Sequence, residues 1–91
     1  MMRKLIPPEG PKYHRLRDFL RNLPSSAAQL ELHFGQIIGI IINELPKSAY
    51  LHRAWWANDS KHVQGAAWLA AGWETSDVKL EERRILFIRK R

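Results

Sequence analysis

The C-terminal stretch of the chain is VKLEERRILFI, residues 78–88, and it decides the predicted fold. Val78 and Leu80 alternate with polar neighbours, and Ile85 and Phe87 lie two positions apart after a polar segment. Apolar residues at every second position are typical of a strand that buries one face. The stretch therefore predicts an antiparallel β-hairpin, although its turn lacks the glycine that favours tight hairpins.

Two elements are predicted in the first half of the chain by their apolar spacing. Tyr13, Leu16 and Leu20 recur at intervals of three and four, which predicts an amphipathic helix over residues 12–22. Leu30 and Leu32 alternate with polar residues, which predicts a short half-buried strand over residues 30–34.

Further helices are predicted between this strand and the hairpin. Residues 34–45 have helical apolar spacing up to Pro46, but they are rich in β-branched residues, so a strand is the alternative. Residues 47–53 fit a short helix. Residues 60–71 are rich in alanine, which favours helix, and Gly72 follows where a helix-ending glycine is expected.

The predicted element order indicates an α+β fold of three main helices and a small antiparallel sheet that ends in the C-terminal hairpin. This order is winged-helix-like, because a lone strand then pairs with the hairpin beside three helices. Residues 1–11 contain three prolines and predict a flexible N-terminal arm. Residues 12–89 are expected to form one domain.

Composition restricts the classes of function. The chain has 91 residues and no cysteine, which excludes disulfides and thiolate metal sites and fits a reducing compartment. No secretory signal is evident, so a cytoplasmic location is expected. The four histidines show no metal-ligand spacing, and no phosphate loop or nucleophile motif is present. We therefore expect no enzyme activity, no catalytic residue, no metal and no cofactor.

Positive charge is concentrated at the two ends of the sequence. The formal net charge is +6, and residues 1–21 and 79–91 each hold six basic and two acidic residues. The intervening segment holds three basic and five acidic residues. Basic segments of this kind indicate a polyanionic partner. The sequence thus favours nucleic-acid binding, with DNA rather than RNA as the partner and no membrane contact; a charge needed only for solubility is the alternative.

The predicted binding residues lie around the helix at 60–71 and on the hairpin. Six basic residues are candidates for phosphate contacts, because cations neutralise the DNA backbone: Arg15, Lys47, Arg53, Lys61, Arg83 and Arg84. Helix N-termini favour phosphate and amides can bond to bases, so Asn58, Ser60 and Gln64 join them. An exposed indole beside them, at Trp55 or its neighbour, would stack on a base. The alternative roles are helix caps for Asn58 and Ser60 and core packing for the tryptophans.

Two tryptophan-rich stretches carry a family resemblance: WWAND at residues 55–59 and AWLAAGW at residues 67–73. With them the chain resembles a small, functionally uncharacterised bacterial domain family over residues 12–89. That family occurs alone and beside other bacterial domains, including nuclease-like ones. The resemblance implies a DNA-handling context and assigns no role to any residue.

A second hypothesis places the function in protein–protein contact without nucleic acid. An exposed tryptophan and the edge strand at residues 30–34 would form the contact surface, either in a homodimer or with a larger protein.

Overall fold

A computed structural model describes residues 11–90 of the chain. It contains α1 (Pro11–Arg21), β1 (Gln29–His33), α2 (Phe34–Ile41), α3 (Lys47–Leu51), a 3-10 turn (Arg53–Trp56), α4 (Val63–Ala70), β2 (Trp73–Lys79) and β3 (Arg84–Arg89). Residues 1–10, and with them most of the predicted N-terminal arm, lie outside the described residues. The helix α1 begins at Pro11, one residue before the predicted domain boundary.

The three strands form one antiparallel sheet in the order β1-β3-β2. The predicted hairpin is β2 and β3, and the upstream strand β1 pairs along the other side of β3, with Leu32 opposite Ile85. A register shift between Thr75 and Asp77 interrupts β2. The predicted α+β fold, with three main helices and a C-terminal strand pair, is confirmed.

The core is built around stacked aromatic rings between the helices and the sheet. Trp56 and Trp68 stack with centroids 6.0 Å apart, and Phe34 also stacks with Trp56, at 5.1 Å. Phe87 meets the edge of Trp68 from β3, while Leu16 closes the core from α1. Large aromatic surfaces bury much apolar area per residue, which helps a domain of this size to fold without disulfides.

The second helix ends four residues earlier than predicted, at Ile41. Ile42 adopts a left-handed conformation (φ 54°), and its N–H donates to the carbonyl of Ile38. That residue ends the helix well before Pro46. Ile42 is β-branched, 69% exposed and strained in this conformation. The helical prediction for this segment is confirmed over the strand alternative.

The helix predicted at residues 60–71 begins only at Val63, with His62 at its N-cap. The carboxylate of Asp59 accepts from the N–H of Lys61 at 2.8 Å, and its carbonyl accepts from His62. These bonds hold residues 59–62 in a turn rather than in the first helical turn. Gly72 follows α4 with φ +86°, as a helix-ending glycine should.

The hairpin strand β2 is longer than predicted, because it starts at Trp73 rather than at Val78. The extra residue at the bulge breaks the period-two pattern between Thr75 and Val78, so alternation alone could not detect the first half of the strand. No helix within residues 11–90 has the length and apolar character needed to cross a bilayer.

Candidate nucleic-acid interface

Most of the net positive charge of the described chain lies on one helix. Residues 11–90 hold twelve Lys or Arg and eight Asp or Glu. The helix α1 has four basic residues (Lys12, Arg15, Arg17 and Arg21) and one acidic residue, Asp18. The sheet with its turn and Lys90 holds five of each sign. Three of the four excess positive charges therefore belong to α1.

The four basic residues surround the buried stripe of α1, with Lys12 and Arg17 half-buried along its two borders; this outer surface of α1 is here called the α1 basic face (Lys12, Arg15, Arg17 and Arg21). Tyr13, Leu16 and Leu20 are buried against the core, and of the four basic residues Arg15 and Arg21 are exposed. Arg15 is exposed and makes no ion pair within residues 11–90, whereas Arg17 pairs with Asp18 at 3.0 Å. Burial raises the pKa of the Tyr13 hydroxyl above its ordinary value of 10.0 by desolvation, so this group stays neutral.

A groove of about 240 Å³ lies between α1 and α4. His14 and Arg17 line it from α1, while Val63 and three alanines (Ala66, Ala67 and Ala70) line it from α4. Arg21, the last residue of α1, donates to the carbonyl of Ala70 at the end of α4 at 3.2 Å. The groove thus has an apolar α4 side and a cationic α1 side.

The helix α4, which the sequence analysis placed at the centre of the site, exposes no polar side chain to solvent. It contains no charged residue, and only Val63 and Ala70 are exposed. Gln64 is 7% exposed, and its amide donates to the carbonyl of Trp55 at 2.9 Å. Buried in this way, the Gln64 amide supports the tryptophan turn and does not reach a base.

The side chain of Asn58 takes part in a hydrogen-bond network with Trp68 and Thr75. Its side-chain oxygen accepts from Trp68 Nε1 at 2.9 Å and from the Thr75 N–H at 2.8 Å. Its amide nitrogen donates back to the Thr75 carbonyl at 2.9 Å. The Thr75 hydroxyl donates to the carbonyl of Trp56. Asn58 is therefore not a helix cap, and its side-chain oxygen and one amide N–H are committed to the fold.

The two adjacent tryptophans differ in burial, as their neighbouring positions predict. Trp56 is 1% exposed, and its Nε1 donates to the carbonyl of Ala49 at 2.8 Å. Trp55 is half-buried, and its ring meets Trp56 at 4.6 Å and Tyr13 at 5.9 Å between centroids. Trp68 and Trp73 are fully buried, so among the four indoles only Trp55 has solvent-accessible surface of note.

The basic residues of the hairpin region are largely engaged or balanced by acidic neighbours. Arg84 pairs with Glu31 at 3.2 Å, and the Arg83 guanidinium lies over the Tyr50 ring at 5.2 Å. Arg53 donates to the carbonyl of Val78. The cleft of about 470 Å³ beside Arg53 is also lined by three acidic residues: Asp77, Glu81 and Glu82. The hairpin therefore offers no excess of positive charge.

The remaining predicted residues lie apart from these. Lys47 is exposed at the start of α3, and Ser60 and Lys61 are exposed in the turn before α4. Because Gln64 is buried, the structure does not bring Lys61, Gln64, Arg83 and Arg84 together on one face. Of the ten predicted binding residues, Arg15 is the one on the α1 basic face.

Sequence reasoning missed Lys12, Arg17 and Arg21 as candidates, although the excess charge of residues 1–21 was visible. Arg89 was not a candidate residue either. The Arg89 guanidinium donates to the carbonyls of Ala27 and Pro24, both at 2.8 Å, and lies over the Trp73 ring at 4.6 Å. Arg89 thus fastens the end of β3 to the loop after α1.

The described residues contain no group of three or more His, Asp or Glu side chains close enough to hold a metal ion. Asp59 and His62 approach each other to 3.6 Å as an exposed pair. Such a pair lacks the further ligands that a protein metal site uses.

These features define a class of protein: a small α+β domain in which three of the four excess positive charges of residues 11–90 lie on one outer helix. The chain belongs to the family of the domain of unknown function DUF7662, whose family model matches residues 13–90. The expected membership of an uncharacterised small domain family is thereby confirmed. No curated protein and no solved structure matches the chain.

Proposed function

We propose that this domain is a non-enzymatic nucleic-acid-binding module that contacts DNA phosphates through the α1 basic face. The observation that carries the proposal is the charge distribution, in which α1 holds four basic side chains against one acidic one. Basic side chains that neutralise DNA phosphates release counterions from the DNA, and this release drives binding.

The length of α1 suits several phosphates. Its eleven residues span about 16 Å at about 1.5 Å per residue. One strand of B-DNA rises about 3.4 Å per nucleotide, so the helix extends along roughly five nucleotides. With basic residues distributed from Lys12 to Arg21, we expect α1 to contact about three phosphates.

The groove between α1 and α4 supports the same surface. Arg17 and His14 line its α1 side, and the small side chains of α4 leave room for a sugar or a base edge to come close. Arginine matches phosphate geometry better than lysine because its planar guanidinium can donate two parallel hydrogen bonds.

The element order and the strand order β1-β3-β2 resemble a winged-helix domain, which supports a DNA-binding function by analogy. In that architecture the helix before the hairpin enters the major groove. Here α4 has no side chain suited to base contacts, so we propose phosphate contact without strong sequence preference, since base contacts specify and phosphate contacts position.

Fluorescence anisotropy with labelled duplex DNA, single-stranded DNA and RNA over a salt series tests the proposal. We expect duplex DNA to bind most tightly and the logarithm of the association constant to fall with the logarithm of salt with a slope of about −3. An affinity independent of salt, or no binding to any of the three at low salt, would overturn the proposal.

The narrower family expectations belong to the same proposal. We infer that WWAND at residues 55–59 and AWLAAGW at residues 67–73 form the shared signature of the family, since both stretches build the core and its polar network. We also propose a bacterial origin and a cytoplasmic location, and the lack of cysteine fits the reducing compartment of the proposed location. Cell fractionation with an antibody against the chain tests the location.

A further inference from the structure

The strand β1 is an edge of the sheet with an unused side. Its ladder with β3 is fixed at both ends, where the Arg89 N–H donates to Ala28 and the Phe34 N–H donates to Arg83. Antiparallel ladders bond at every second residue, so Leu30 and Leu32 direct their backbone groups toward β3. The backbone groups of Gln29, Glu31 and His33 therefore point away from the sheet.

Most of these outward groups have no partner within residues 11–90. The His33 N–H is an exception, because it donates to Gln36 Oε1 at 2.8 Å in the cap of α2. The N–H and carbonyl groups of Gln29 and Glu31 and the His33 carbonyl make no hydrogen bond in this part of the chain. Unpaired strand edges of this kind are templates for another strand.

The two edges of the sheet differ in how well they are protected. The edge strand β2 has a bulge after Thr75 and a lysine at its end, both of which discourage pairing. The strand β1 has no bulge, proline, glycine or lysine among its five residues. The open edge is therefore β1.

We propose that β1 pairs antiparallel with β1 of a second copy of this chain, about a two-fold axis at Glu31. The strand sequence QLELH has the same polarity in both directions, so such pairing places Leu30 opposite Leu32 of the second copy on the core side. On the outer side, Gln29 faces His33 of the second copy. A strand that is complementary to itself fits a symmetric homodimer.

The available backbone groups agree with this register. The Glu31 N–H donates to the Glu31 carbonyl of the second copy, and the Gln29 N–H donates to the His33 carbonyl of the second copy. The two-fold axis generates the same two hydrogen bonds from the second copy back to the first. The capped His33 N–H limits the pairing to these residues.

The charges at the axis are compensated. Two glutamates meet there, and each already has the guanidinium of Arg84 from its own chain at 3.2 Å. Like charges directly opposite each other weaken strand pairing, and the two arginines offset that repulsion. A contact of five residues per chain is small, so the dimer is weak and concentration-dependent.

Sedimentation velocity from about 10 µM to about 1 mM tests the proposal, because interfaces below about 1,200 Å² give weak complexes. The test variant is Glu31→Pro, which removes an N–H that points away from β3 and so leaves the sheet intact. The matched control is Glu31→Thr, which removes the same carboxylate but keeps the N–H. We expect wild type and Glu31→Thr to shift from monomer to dimer, and Glu31→Pro to stay monomeric.

A wild-type chain that remains monomeric throughout, or a Glu31→Pro variant that dimerises like Glu31→Thr, overturns the proposal. Should Glu31→Pro lose its near-ultraviolet circular dichroism, amide hydrogen exchange of the wild type replaces it. Exchange at Gln29 and Glu31 must then slow with protein concentration while the hairpin turn is unchanged, and unchanged exchange at both positions overturns the proposal. DNA binding by α1 is independent of either result, since α1 packs against α2 and α4.

Discussion

Asn58 shows how a residue suited to base contact can instead be part of the fold. Its oxygen uses both lone pairs on buried donors, Trp68 Nε1 and the Thr75 N–H. The same network continues through the Thr75 hydroxyl to the carbonyl of Trp56. Hydrogen bonds of the WWAND stretch therefore connect the tryptophan turn to α4 and to β2.

Replacing Asn58 by alanine should destabilise the domain without any direct effect on DNA binding. Two buried donors would lose their acceptor, and each unsatisfied group costs about 1–3 kcal/mol, so we expect a loss of about 2–4 kcal/mol. Thermal unfolding followed by circular dichroism measures it, with a midpoint lower by about 10–20 °C for a domain of this size.

The matched control is Ser60→Ala, since Ser60 is exposed and its hydroxyl makes no hydrogen bond within residues 11–90. Its stability should change by no more than about 0.5 kcal/mol. An Asn58→Ala variant with unchanged stability and weakened DNA binding would contradict the structural role and restore Asn58 as a contact residue.

Residue burial could be predicted from the sequence only where geometry forces it. Adjacent Trp55 and Trp56 point in different directions, so one had to lie nearer the surface, and Trp55 does. Gln64 carried no such constraint. Its burial depends on the carbonyl of Trp55, nine positions earlier, and only the folded turn brings the two groups together.

At the scale of the element, α4 depends on a close approach between its first turn and the preceding loop. A Cβ added at Gly65 would lie 2.4 Å from the carbonyl oxygen of Asp59 and 3.1 Å from that of Ala57. Both neighbours are backbone atoms, which cannot rotate away. Glycine at this position lets the loop cross the helix.

Gly65→Ala should therefore destabilise the domain by about 1–3 kcal/mol, as overpacked sites do, although alanine is the better helix former by about 1 kcal/mol. Urea unfolding followed by tryptophan fluorescence measures the change.

Gly39→Ala in α2 is the matched control, because a Cβ there meets no atom within 4 Å. It should stabilise the domain by about 0.5–1 kcal/mol through helix propensity alone. A Gly65→Ala variant that gains stability as Gly39→Ala does would show that the loop does not rest on α4.

Elements with an uninterrupted spacing of apolar residues could be predicted from the sequence. Element boundaries that depend on side-chain hydrogen bonds could not. The helix α1 and the paired ends of β2 and β3 follow directly from apolar spacing. The start of α4 depends instead on Asp59, whose carboxylate holds the Lys61 N–H in a turn. Asn58, Asp59 and Ser60 all resemble N-cap residues, and no local pattern distinguishes a cap from a turn of this kind.

At the scale of the whole molecule, the distribution of charge in the folded domain differs from its distribution along the chain. The C-terminal segment is basic along the chain, but Arg84 meets Glu31, 53 positions away, and Arg89 binds backbone carbonyls. Strand pairing thus brings acidic residues to the basic ones and cancels their excess. On α1, Asp18 pairs with Arg17 alone, and three excess positive charges remain on the helix, which moves the proposed interface from the hairpin to α1.

The salt dependence of DNA binding by two charge-matched triple variants tests the central claim most directly. The first variant neutralises α1 (Lys12→Gln, Arg15→Gln, Arg17→Gln), and the second neutralises the hairpin (Lys79→Gln, Arg83→Gln, Arg84→Gln). Both remove three positive charges, so any difference between them reports position rather than net charge.

The α1 variant should lose about one unit of slope per phosphate contact removed, a reduction of about two to three, while the hairpin variant should change by less than about one. An equal loss in both variants, or a larger loss in the hairpin variant, would contradict the assignment of DNA binding to α1.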